Sequence, residues 1–291
     1  MGKPTFILQP LVAAVLVGLY GGEAVHANPT GGQVISGQVG FDSSQPGALN
    51  ISNSPNAIIN WQNFSSAPNE IVRFLQQSAD SAVLNRVVGQ DPSQLMGQLL
   101  SNGRVYLINP NGIIFGQGSV VDTAGLLAST LNIKDDDFIR GNYVFTSQNA
   151  QGIENHGLIH AGRDGNIILI APHIENSGIL QSDGGQIVLA AGEKLTISSL
   201  DSPEVSFQIQ APSNHVLNIG TILADRGGAV DVFAGSIRHS GVISAEGISV
   251  DEQGNIRLVA QGDITLEAAS VTQANGPQGG AVHVESSTET T

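Results

Sequence analysis

At 291 residues the chain is long enough for one large domain or two ordinary ones with a sizeable core. Charged residues make up 12% of it, and 41% hydrophobic content argues against disorder. A net charge of −14, from 11 Lys+Arg against 25 Asp+Glu, argues against nucleic acid or an anionic membrane face as partner. With no cysteine there is no disulfide, thiolate metal site or Cys nucleophile.

Residues 1–27 read as a cleavable export signal. Lys3 supplies a positive start, an apolar run from Phe6 to Tyr20 follows, and small residues precede a cut after Ala27. The uninterrupted stretch Leu11 to Tyr20 is too short to span a bilayer, which needs about 20 residues. A chain that must cross a second membrane through a narrow pore is also better off without disulfides, which gives the missing cysteines a reason.

Residues 28–150 read as an irregular capping lobe with the first coils of a repeat. Gln33–Val39 and Ala57–Trp61 are expected strands, and Pro68 to Gln76 suits a short helix or tight turn. Gly103–Ile108 is a strand that runs into Asn109-Pro110-Asn111-Gly112-Ile113, a tight corner in which Pro fixes φ and Asn-Gly offers positive φ.

From 151 to 291 an internal repeat dominates. Glycines at 157, 178, 220 and 241 each sit in one local pattern, with an apolar residue four before and two after. Asn155, Asn176 and Asn218 precede three of them by two, and a second strand follows each turn after another Gly-containing bend. A period of about 21 residues built from short β-branched runs describes a parallel β-helix, with matching side chains stacked every ~4.8 Å. The fold class is therefore all-β: a right-handed parallel β-helix by the usual crossover rule, with roughly a dozen coils over about 60 Å. Glycine is expected to supply positive φ at the corners, and the asparagines to hydrogen-bond along the axis. The missing beat near 199 predicts an excursion over 200–214 packed on the flank, and no clear cap closes the C-terminal end.

The corner motif, together with Asn60-Trp61-Gln62-Asn63-Phe64, Val83-Leu84-Asn85-Arg86-Val87 and Ala128-Ser129-Thr130-Leu131-Asn132-Ile133, closely resembles the amino-terminal secretion domain of the filamentous haemagglutinin family. The high-molecular-weight adhesin branch is the nearest type. This resemblance implies a monomeric secretion domain of a surface or secreted exoprotein of a Gram-negative bacterium. It implies export through the periplasm, recognition there by a dedicated outer-membrane β-barrel transporter with periplasmic domains, and folding outside as a β-helix. A host-cell or surface receptor would then be a second partner. Asn109, Pro110, Asn111, Gly112 and Ile113 carry the family's hallmark, acting by shaping the fold, by touching the partner, or both.

No catalytic, cofactor or metal constellation stands out. His156 and His160 read as solvent-facing corner residues, and Asp135-Asp136-Asp137 as a solvated acidic turn without the ligand spacing of a Ca²⁺ loop. Two alternatives stay open: the delivery end of a secreted toxin, and a β-helix polysaccharide-degrading enzyme, for which Asp231 and Arg257 are the sole charged pair on the repeated strands.

Overall fold

A computed structural model describes residues 28–290, apart from 148, 200, 202, 212, 248, 250–252 and 289; the expected export signal lies outside the described residues. Three sheets of ten, seven and ten strands form the faces of a prism, and a fourth, three-stranded sheet lies against one of them. The first face stacks Ala57–Trp61, Ala82–Val87, Arg104–Ile108, Gly125–Ser129, Ile167–Ala171, Gln186–Ala191, Ala229–Ala234, Asn255–Ala260 and Ala281–Ser286 in parallel. The second runs from Ser93–Leu95 to Ile264–Leu266, and the third from Ala48–Asn53 to Val271–Asn275. The chain visits the faces in turn and returns one coil further along.

Register makes the core continuous. Ile167 pairs in sequence with Ile187, Val230 and Ile256, and Leu169 with Leu189, Val232 and Leu258. All eight are buried. Each coil therefore covers the apolar face of its neighbour, and a parallel ladder satisfies the backbone at the same time.

The repeated glycines serve a different end from the expected one. Gly157, Gly178, Gly220 and Gly241 are not in the left-handed region. They are there because the corner backbones stack directly on one another. A Cβ on Gly178 would sit 2.2 Å from the Gly157 carbonyl oxygen, one on Gly220 2.3 Å from that of Gly178, and one on Gly241 2.0 Å from that of Gly220. Gly220→Ala is thus expected to destabilise by roughly 1–3 kcal/mol, as overpacking does. A urea titration that shows no change in midpoint would overturn the stacking account.

Two of the three sheets are closed at the N-terminal end by antiparallel strands: Gln33–Ser36 on Ala57–Trp61, and Val39–Asp42 on Ala48–Asn53. Phe41 in the cap meets the buried Trp61 edge-on at 5.5 Å. Regular coils begin at Ala48, so within the capping lobe and first coils expected over 28–150 the cap occupies the part before Ala48. The segment read as a helix or turn at 68–76 is instead the strand Ile71–Leu75, with Val72 and Phe74 pointing inward. Its helix-start signal is used by a turn, in which the Glu70 carboxylate accepts the Ala67 N–H at 2.7 Å. Nine parallel strands on the first face span roughly 40 Å. That is shorter than the dozen coils expected, because two long excursions take chain out of the stack.

Both excursions, 130–152 and 192–214, leave at the corner between the first and second faces. They meet: Tyr143–Thr146 pairs antiparallel with Lys194–Ile197, which pairs antiparallel with Val205–Ile209. The acidic run expected as a turn begins the helix Asp135–Arg140 instead. Three aspartates stand in its first turn, Arg140 in its last, and Gly141 closes it at φ +74°. The flap buries Leu131, Ile133, Phe138, Phe145, Leu195 and Ile197 against the outward side chains of the first face, among them Tyr106, Ile108, Ile168 and Ile170. That is why Ile167-Ile168-Leu169-Ile170 is apolar without alternation: both of its faces are covered.

Candidate functional site

The corner motif lies between Arg104–Ile108 on the first face and Ile113–Phe115 on the second. Asn109 is fully buried, and its side chain ties three pieces of chain together. Its Nδ2 donates to the Asp91 carbonyl and to Ser93 Oγ, both at 3.0 Å. Its Oδ1 accepts the Asn111 N–H at 3.0 Å, closing an Asx turn. Asn111 Nδ2 donates to the Gly89 carbonyl at 2.9 Å.

The backbone completes the corner. Gly112 N–H donates to the Asn109 carbonyl at 3.1 Å, and the Gly112 carbonyl accepts Ser93 N–H at 3.0 Å. Gly112 has φ +112°, which L side chains rarely adopt, although a Cβ there would meet nothing closer than 3.5 Å. Conformation, not space, demands glycine at this position. Pro110 fixes the turn and offers its carbonyl to Gln151 N–H at 3.0 Å, joining the next coil, and Ile113 drops into the core. The motif thus stitches three successive coils at one corner. Asn109 faces inward while Pro110 and Asn111 are half-buried, and the 89–92 loop the motif holds forms one wall of a surface groove of about 530 Å³, with Ser65, Ser66 and Met96 among the other lining residues.

A second polar feature runs inside the core. Asn155 Nδ2 donates to Asn176 Oδ1, and Asn176 Nδ2 to Asn218 Oδ1, both at 2.8 Å. Asn218 Nδ2 then meets His239 Nδ1 at 3.1 Å, and His239 Nε2 reaches the Val271 carbonyl at 3.2 Å. With Nδ1 accepting, Nε2 carries the proton. His239 is therefore a fully buried end-piece of the ladder.

The other singled-out residues stand apart from the motif. His156 lies on a corner against Ser177 Oγ (2.5 Å), and His160 on the third face against Asp122 (2.9 Å). Asp231 is buried and accepts both Nε and Nη2 of Arg257, at 3.0 and 3.1 Å, while Arg257 lies 4.9 Å over the Phe233 ring. The pair forms a clip just beyond the flap. Among the described residues no cluster of three or more His, Asp or Glu is placed to hold a metal ion, and no helix is long and apolar enough to cross a membrane.

A capped, parallel β-helix with a flap on one face and an Asn-Pro-Asn-Gly corner defines a β-helical secretion module. The TPS secretion domain family matches residues 27–282, and the chain belongs to that family, whose members are secretion domains of exported exoproteins of the adhesin type. It is similar to the HMW1 secretion domain from Haemophilus influenzae, with TM-score 0.81 and 36% identity over 88% of this chain and 76% of that one. The filamentous hemagglutinin secretion domain shares the fold, with TM-score 0.52 and 15% identity over 91% of this chain and 99% of that one. A heme/hemopexin-binding protein of Haemophilus influenzae is 30% identical over 205 residues, 67% of this chain and 23% of that protein. A second protein of that description is 40% identical over 93 residues, 32% of this chain and 10% of that protein. The chain thus spans less than a quarter of the length of these curated relatives.

Proposed function

We propose that this domain carries an exoprotein through the periplasm to a dedicated outer-membrane β-barrel, crosses it unfolded, and folds outside coil upon coil. Within that route, Asn109, Pro110, Asn111, Gly112 and Ile113 act by shaping the fold. The observation that supports this is where the motif's hydrogen bonds go: Asn109 and Asn111 spend their side chains on Asp91, Ser93 and Gly89 of the preceding turn. The loop they fix presents more outward surface than the half-buried Pro110 and Asn111 do. The exoprotein acts as a monomer, and a surface receptor is met by the folded product.

The test is release of a tagged chain into the medium with and without the barrel, for the parent and for Asn109→Ala. The substitution leaves the Asp91 carbonyl, Ser93 Oγ and the Asn111 N–H short of a partner, and is expected to cost about 2 kcal/mol in the purified domain. Export should need the barrel, and should fall in the variant together with its stability. Export lost at unchanged stability would make Asn109 a contact residue, and equal release without the barrel would sink the secretion reading.

A further inference from the structure

We propose that His173 and His215 form a two-imidazole site for a borderline divalent transition-metal ion of the Zn²⁺ class, on the outside of the folded solenoid. The two residues begin consecutive strands of the second face and are paired in register, although 42 residues separate them in sequence. Their Nδ1 atoms stand 3.0 Å apart and their ring centroids 4.5 Å apart. An ion about 2.05 Å from each nitrogen would see them at an angle of about 94°, between the octahedral and tetrahedral values for neighbouring ligands. Its remaining positions would be filled by water.

The local chemistry suits such an ion. Only one proton fits between the two Nδ1 atoms, and His215 Nδ1 also lies 3.2 Å from the Ser213 carbonyl, so His215 donates and His173 holds a lone pair. Partial burial of the ring, and after it the neighbouring His215, hold the His173 pKa below its ordinary value, while Glu193 pulls the other way. Both residues keep an exposed side, so an ion has a path in. Binding at His215 Nδ1 moves that proton to Nε2 by exchange with water, so the imidazole stays neutral and no oxidation state changes.

The position also gives the site a purpose. His215 stands where the second excursion rejoins the stack, and His173 one coil before it. An ion held by both exists only after that coil has closed. It stabilises the folded form by RT ln(1 + [M]/Kd) and adds nothing to the unfolded chain in transit. Sequence spacing hides the pair, because the intervening excursion places the two histidines two repeat lengths apart.

The experiment uses purified, EDTA-stripped protein and Zn²⁺ alone, read by calorimetric titration and by Tm, with Mg²⁺ as the hard-ion control. It involves no export, so its outcome is independent of the secretion route. The expected result is one Zn²⁺ per chain with a rise in Tm that Mg²⁺ does not give. Both should be lost in His173→Gln and in His215→Gln, whose Tm in EDTA matches the parent. His283→Gln, at an exposed histidine elsewhere on the solenoid, should bind as the parent does. No uptake by the parent, or uptake that persists when either His173 or His215 is replaced, overturns the proposal.

Discussion

Asn176→Leu is expected to destabilise the domain by about 4 kcal/mol, read as a Tm lower by roughly 10 °C. Asn176 is fully buried and is the middle rung of the internal ladder, accepting from Asn155 and donating to Asn218 at 2.8 Å each. Leucine matches it in size, so packing is not the main loss. What matters is that an amide donor on Asn155 and an amide acceptor on Asn218 lose their partners inside the buried core. Each stranded group costs about 1–3 kcal/mol, roughly twice what one satisfied hydrogen bond contributes. Glu175→Gln, one residue away on the outward side, should change stability by no more than ~0.5 kcal/mol. A loss below about 1 kcal/mol for Asn176→Leu would show that the ladder does not hold the core.

Arg86→Met is expected to cost about 3 kcal/mol, and to do so in one place. Arg86 sits on the second coil with its side chain only 12% exposed, and reaches into the first excursion. Its Nη1 meets Asp135 at 2.6 Å, its Nη2 donates to the Ile133 carbonyl at 2.6 Å, and its Nε to Asn132 Oδ1 at 2.9 Å. Asp135 is 39% exposed, so the ion pair itself is partly screened. The larger share comes from the Ile133 carbonyl and from the root of the flap. Hydrogen exchange should speed up at 143–146 and 194–197 while 153–176 stays protected. Arg86→Lys should fall between, since an ammonium cannot make the planar fork. Uniform acceleration across the chain would contradict this local account.

The repeat was legible because it is written in the residues that face the axis. Ile153, Ile174 and Val216 recur at matching places on successive coils, and Asn155, Asn176 and Asn218 at another, so coil period, fold class and even the ladder could be read from spacing. The corner at 109–113 was legible for a similar reason, since Pro and Asn-Gly permit few backbone paths. The role of the corner glycines was not, because a close approach between coils and a positive φ both call for glycine, and only coordinates separate the two. The first excursion escaped as well: its helix is a single short turn system, and its strands pair with chain some fifty residues away. One trace of it was present. Ile168, Ile170 and Val188 are apolar at outward positions, where an uncovered sheet would carry polar side chains.

A stack of coils in which each touches only its neighbours melts from its ends inward, every unit opening at its own free energy. The flap changes that arithmetic, because it binds Leu84 and Tyr106 of early coils to strands that follow the sixth. Residues 84 to 209 are thereby tied together beyond nearest-neighbour contact into a block whose coils resist opening from the ends while the flap stays closed. Beyond it, the outward positions of the first face turn polar at Asp231, Arg257 and His283, and the apolar cover thins out at Phe233, which meets Phe207 of the flap. The distal coils keep the behaviour of a one-dimensional array, able to fray or to add further coils without disturbing the block behind them.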